Sequence, residues 1–317
     1  MVAGKAAAAI SNIGHRHEAR EPHSENGAMP QPTLTSAPPA LDSTARRIHS
    51  ISSLPHVALQ VMEVAQDPQS GARELKEVME TDPALCVRVL KCVNSSAYAL
   101  RNPISNLQHA IAYLGNKQIR NLAMSAAVSE LFRKGTVVGS YRRAGLWKHL
   151  VAVGMCARMI AMRRRMSNFE DMFLAGLLHD IGIVLEDQYV HRLFCDIMQS
   201  LPSDAPLTRA EREVLGFDHT ALAQRMACDW KFPAPVVAAA RHHHGCGRYH
   251  REHADVVRCV EAANIICSLK GITSVGVNLV AFSPETFAAL SLTKDDIIVL
   301  AGDLDRELEA NQTILQV

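Results

Sequence analysis

From Leu54 onward, apolar residues recur every three or four positions, the period of a helix with one face turned to a core. This spacing predicts helices over 54–65, 84–93, 107–114, 119–132, 147–162, 169–178, 219–230, 235–244, 256–269 and 295–308. Asp82-Pro83 supplies a cap and a first-turn proline for the second of these, Gly115 closes the third, and Asp295 and Asp296 place acidic charge at the start of the last. Period-two alternation is nearly absent; 273–282 alone has a β-like composition, as a strand or a surface loop. The expectation is an all-α, multi-helix bundle without internal repeats.

Residues 1–42 follow another rule. They are rich in Ala, Pro, Ser and His, and Pro30, Pro32, Pro38 and Pro39 break any periodicity, so burial cannot offset the entropy of ordering. The chain therefore divides into a disordered N-terminal tail (1–45), a helical domain (46–270) with an N-terminal block at 46–135 and a second half at 140–270, and a C-terminal extension (271–317) ending in a helix.

At 317 residues and 48% hydrophobic, the chain can bury a sizeable core. Lys and Arg total 33 against 32 Asp and Glu, so no overall basic field is available to hold a nucleic-acid backbone; Arg142-Arg143 and Arg163-Arg164-Arg165 are only local clusters. The eight cysteines include no C-x-x-C pair and mostly sit in apolar helical patterns, which suits a reducing cytoplasm. The apolar run 6–10 is too short for a signal peptide, and no run approaches the roughly 18 apolar residues of a membrane span.

The chemistry is concentrated in the second half. Residues 173–182 form an apolar stretch ending in the pair His179-Asp180 and a glycine, Gly182. Neighbours on a regular helix diverge by about 100°, so both can serve one site only if the helix ends or distorts there, which Gly182 is expected to permit. His149 lies upstream on an apolar helix; Asp218-His219 and His242-His243-His244-Gly245 follow downstream. Imidazoles with a carboxylate suit Fe, Mn or Zn. Each also has an ordinary structural role: His149 as a hydrogen-bonded core residue, His242 to His244 as last-turn cations, Asp218 as a helix cap.

Taken jointly, the pattern resembles the HD superfamily, in which a first His, a His-Asp dyad, further His residues and a late Asp gather around one or two metal ions. The resemblance implies a divalent metal (Fe, Mn or Zn) held by His149, His179, Asp180, His219, His243 and His244. Asn264 stands where the late Asp is expected, and Ile183 where a Lys commonly follows the dyad. In the first half, Leu54-Pro55-His56-Val57-Ala58, Glu80-Thr81-Asp82-Pro83-Ala84-Leu85, Val93-Asn94-Ser95-Ser96-Ala97-Tyr98 and His109-Ala110-Ile111-Ala112-Tyr113-Leu114-Gly115 resemble, in order, the signatures of the HDOD family.

That resemblance implies a cytoplasmic bacterial signalling module without catalysis, acting through a signalling protein partner of a cyclic-di-GMP or two-component pathway. The alternative is a metal-dependent phosphohydrolase or cyclic-dinucleotide phosphodiesterase, although no Gly-Tyr-Pro motif follows His244. A nucleic-acid-binding role has only the local basic clusters in its favour.

Overall fold

A computed structural model of the protein describes residues 41–51, 54–67, 69–201, 205–245, 249–277 and 279–316. The expected tail thus lies outside the described residues up to residue 40. Its last part is helical: α1 (Leu41–Ile51) places Ala45 and Ile48 in full burial against the second half of the fold, with His49 paired to Asp229 at 2.8 Å.

The N-terminal block comprises α2 (His56–Gln66), α3 (Ala72–Glu80), α4 (Pro83–Val93), α5 (Leu107–Leu114) and α6 (Asn116–Ser129). Asp82 caps α4 by accepting from Leu85 N–H at 3.0 Å, and Asn106 caps α5 by accepting from His109 N–H at 2.9 Å. Helix α6 is buried from Ile119 to Val128 and packs on α2, α4 and the second half. A hairpin of β1 (Val137–Val138) and β2 (Tyr141–Arg142) leads out of the block, pairing Val137 with Arg142 and Val138 with Tyr141. It is the only sheet among the described residues.

The second half contains α7 (Arg143–Arg163), α8 (Phe169–Leu178), α9 (Ile181–Tyr189), α10 (His191–Ser200), α11 (Leu207–Leu215), α12 (His219–Asp229), α13 (Ala234–His242) and α14 (Ala254–Leu269). Helices α7 and α8 are its axis, and they cross with their backbones touching. A Cβ on Gly176 would lie 2.7 Å from the Gly154 Cα, and one on Gly154 would lie 2.9 Å from the Phe173 carbonyl oxygen. Any larger residue at either position would push the helices apart. This crossing carries His149 on α7 and His179 after α8 toward the same interior point.

The C-terminal extension is packed on this axis. Its helices α15 (Pro284–Ala289), α16 (Lys294–Ala310) and α17 (Gln312–Leu315) include two that pack on α7, and the Trp147 indole N–H donates to the Ile314 carbonyl at 3.1 Å. The described residues of 273–282 form no strand. Among the described residues they run as irregular chain, because no neighbouring strand is available to pair with their backbone.

The periodicity anticipated the other long helices to within a few residues but not α1, α3, α9, α10, α11, α15 or α17. Helix α9 is buried on nearly all sides, from Ile181 to Asp187 and at Tyr189, so it has no polar face to mark its period.

Candidate metal centre

All six of the expected ligand residues come together around Asp180, although they are spread over nearly a hundred positions. Two sets share that carboxylate: His149, His179 and Asp180 form one, and Asp180, His219, His243 and His244 the other, with donor atoms within 4.8 Å of each other in each set. Asp180 Oδ2 lies 3.2 Å from His179 Nε2 and 3.6 Å from His149 Nε2; Oδ1 lies 3.1 Å from His243 Nε2 and 3.3 Å from His219 Nε2. His244 is exposed and reaches the cluster through its Nε2, 3.2 Å from that of His219.

The helix break that lets the dyad converge falls at the dyad itself. Helix α8 ends at Leu178 and α9 begins at Ile181, with Asp180 at φ −104°, ψ 19° between them. Gly182 does not provide this by an unusual dihedral, contrary to expectation, since it is absent from the positive-φ residues. It provides room instead: a Cβ there would sit 2.1 Å from the His219 carbonyl oxygen. Helix α9 can thus lie against the start of α12, bringing His219 to Asp180.

The second ring nitrogens show what the cluster is built to hold. His149 Nδ1 donates to the Ile272 carbonyl at 2.8 Å, His179 Nδ1 to Gly176 at 2.7 Å, His243 Nδ1 to Ala239 at 3.1 Å, and His219 Nδ1 to the Glu211 carboxylate at 2.7 Å. Carbonyls only accept, so the Nδ1 atoms of His149, His179 and His243 carry a proton, and in the neutral ring each leaves a bare Nε2 facing inward. The Nε2 atoms of His149, His179 and His243 and Oδ1 of Asp180 are buried without a hydrogen-bond partner. Converging lone pairs of this kind are costly unless a cation lies among them. The donor set, and the carbonyl or carboxylate behind each ring, fit a divalent transition metal.

The charges follow from this crowding. Burial, with His179 next, lowers His149 to about 4, and burial also lowers His243. Burial opposes ionisation of Asp180, but His179, His219 and His243 overcome it and hold the carboxyl well below the usual range. His219 goes the other way: burial opposes its charge, yet Glu211 and Asp180 hold it well above an ordinary imidazole.

Two residues of this region were not singled out from the sequence. Glu211, fully buried on α11, accepts from both the backbone N–H (3.0 Å) and Nδ1 of His219. Its signal was present: Leu207, Glu211 and Leu215 lie four apart on one helix face, so the carboxylate shares a face with two leucines. Glu186 on α9 is also fully buried, neither carboxylate oxygen meets a hydrogen-bond donor among the described residues, and burial followed by the neighbouring Glu211 pushes it well above the carboxylate range.

Other candidates have structural roles. Asp218 caps α12, accepting from Ala221 N–H at 2.8 Å and pairing with Arg212. Asn264 is buried in α14, its Oδ1 3.4 Å from the Ser268 hydroxyl, and Ile183 is fully buried in the core. Arg143 is buried against Asp187 and Arg163 pairs with Asp296, which takes one residue from each local basic cluster. A cavity of about 260 Å³ opens on Asp180, His219, His243 and His244, walled by Leu207 and by Val275, Leu279 and Val280 of the irregular 273–282 chain. No described helix is long and apolar enough to cross a membrane.

Comparison with known proteins agrees with this architecture. The crystal structure of an HDOD domain protein of unknown function from Geobacter sulfurreducens superposes with a TM-score of 0.71 at 24% identity, covering 86% of this chain and 97% of that one. A protein from Marinobacter aquaeolei VT8 provisionally assigned to signal transduction superposes at 0.69 with 20% identity, over 87% of this chain and 63% of that one. One from Shewanella amazonensis SB2B provisionally described as a phosphohydrolase superposes at 0.65 with 20% identity, over 86% and 97%. An uncharacterized protein of Treponema pallidum (strain Nichols) is 23% identical over 225 residues, 70% of this chain but only 43% of its own length. The family model for the HDOD domain matches residues 51–246, from the helices of the first block to the histidines at the end of α13, and the chain belongs to the HDOD domain family.

Proposed function

We propose that this chain is a non-catalytic regulatory signalling protein of the cytoplasm, in which an HD-type metal centre serves structure and partner docking rather than turnover. His149, His179, Asp180, His219, His243 and His244 would hold the metal, an Fe, Mn or Zn ion. The partner would be a protein of a cyclic-di-GMP or two-component pathway. The observation that carries the metal reading is the ring of inward-facing Nε2 atoms, each fixed by an acceptor on its Nδ1.

The same geometry supports a regulatory role. Asp180 is the only carboxylate in the ligand set, so two divalent ions would carry far more charge than the ligands neutralise. The position that commonly holds a Lys is a core isoleucine, Ile183, so no cation stands there to meet transition-state charge; losing one such stabiliser costs on the order of a hundredfold in rate. A bound metal would supply charge that ties α7, the α8–α9 junction, α12 and the end of α13 together, and a ligand bound by the folded state alone adds to its stability.

The cavity beside Asp180 and His219 favours a second reading, a metal-dependent phosphohydrolase or cyclic-dinucleotide phosphodiesterase. Elemental analysis of the purified protein, followed by assay against cyclic-di-GMP and generic phosphoesters with Mn or Fe added, separates the two. The regulatory reading expects bound metal and no turnover. Hydrolysis at about one per second or faster, abolished by Asp180→Ala, would replace it with the enzymatic one.

A further inference from the structure

A second group of reactive side chains lies on α9 and α10, outside the metal centre. Asp187 near the end of α9 and His191 and Cys195 on α10 follow at intervals of four residues, and the latter two share one face of α10. His191 Nδ1 faces two acceptors, the Asp187 carbonyl oxygen at 2.9 Å and the Asp187 carboxylate at 3.0 Å. Neither can donate, so Nδ1 carries the ring proton and Nε2 presents a lone pair. Cys195 Sγ lies 3.5 Å from that Nε2, where its S–H can donate. Asp187 is itself held in place: fully buried, it pairs with the Arg143 guanidinium at 2.6 Å and accepts from the Tyr141 hydroxyl at 3.1 Å.

The polarity therefore runs in one direction, from a fixed carboxylate through an oriented imidazole to a thiol. This is the order of groups that activates a cysteine nucleophile. We propose that Cys195 is a hydroperoxide-reactive thiol, with His191 as its proton acceptor and Asp187 as the residue that positions His191. In the step, the sulfur attacks one peroxide oxygen, forming the S–O bond as the O–O bond breaks. The thiol proton passes to His191 Nε2 and on to the departing hydroxide, which leaves as water. Cysteine is oxidised to sulfenic acid and the hydroperoxide is reduced. Burial, then the Asp187 and Asp196 carboxylates, hold the thiol above its ordinary value, so the resting group is S–H and the transfer to His191 is what makes the nucleophile.

The other described cysteines lack this setting. Cys92, Cys156, Cys259 and Cys267 are buried, and Cys86 donates to the Met79 carbonyl at 3.1 Å. Cys228 is exposed, with no histidine or carboxylate bonded to its sulfur among the described residues, which makes it an internal reference for mere accessibility.

The test exposes the full-length chain to sub-stoichiometric hydrogen peroxide with dimedone, which traps sulfenic acids, and follows the Cys195 and Cys228 peptides by mass spectrometry. A general base contributes roughly 10²–10⁴-fold, so Cys195, although less exposed, is expected to be labelled at least about tenfold faster than Cys228. In His191→Gln the Cys195 rate should fall to that of Cys228. The His191 side chain is 54% exposed, so this variant should keep the parent's circular dichroism. Equal rates for the two cysteines in the parent, or an undiminished Cys195 rate in the folded variant, would overturn the proposal. Should the variant lose its fold, the rate ratio in the parent decides alone.

Discussion

Gly182→Ala is the most direct test of how the His-Asp cluster around Asp180 is assembled. The added methyl would stand 2.1 Å from the His219 carbonyl oxygen and 2.8 Å from its carbon, where ordinary contact begins at 3.4 Å. The start of α12 must therefore retreat by about 1.3 Å. Both partners are backbone, so no side-chain rotation relieves the clash, and the cost belongs at the upper end of the overpacking range, about 3 kcal/mol. That corresponds to a fall in melting temperature of roughly 6–12 °C for a domain of this size. The same retreat carries His219 away from Asp180. Metal sites tolerate displacements of only about 0.2 Å, so affinity should drop by at least about tenfold, as when a supporting partner is lost. Thermal unfolding by circular dichroism and equilibrium dialysis against Mn or Zn measure the two effects. Gly302→Ala is the control: it lies within α16, nothing stands within 4 Å of its added methyl, and stability should be unchanged or rise by up to about 1 kcal/mol. Normal melting and normal metal affinity in Gly182→Ala would refute the close-approach account.

Three further outcomes are expected. Asp180→Ala should lower metal content and thermal stability together, because it removes the carboxylate shared by both ligand sets; metal analysis and melting on one preparation check this. Glu211→Gln keeps an acceptor for His219 but loses the charge, so metal affinity should fall by about 10–100-fold in dialysis while the helical spectrum is retained. In metal-free protein, His149 takes its proton at about 4 when folded but at about 6.5 when unfolded. The unfolded state therefore binds more protons in this window, and His149 costs stability as pH falls from 6.5 to 4. Glu186, raised by burial, acts in the opposite sense, so the quantity to follow is the difference from His149→Gln. Urea denaturation should show the parent losing stability relative to this variant across that window; a constant difference would show that His149 is not buried neutral.

The relation between sequence and structure differs from element to element. Most of the longer helices were legible to within a few residues, and 107–114 and 169–178 coincide with α5 and α8, whereas the two-faced α3, α10 and α11 were passed over. Helix α9 was passed over as well, and its burial on nearly all sides leaves little polar contrast along it. The 273–282 chain has strand-like residues but no strand beside it, and its valines and leucine wall the cavity instead. Glu211 was legible in principle from its place between Leu207 and Leu215. For Glu186, no pattern in the chain says that Glu211 lies beside it, since the two meet only through the packing around α12.

The sequence by itself determined the helical class and the family, and it pointed to the six residues that gather around Asp180, because these depend on local periodicity and on residue types at recognisable places. Only the tertiary structure decided which atoms those residues present. Gly154 and Gly176 let α7 and α8 touch, Gly182 admits the start of α12, and acceptors on other elements, the Ile272 carbonyl behind His149 and the Glu211 carboxylate behind His219, hold the proton on the outer ring nitrogens. A proton's position on an imidazole depends on what stands beyond each nitrogen. For His149 that is set by a carbonyl more than a hundred residues along the chain, and for His219 by a carboxylate on the preceding helix.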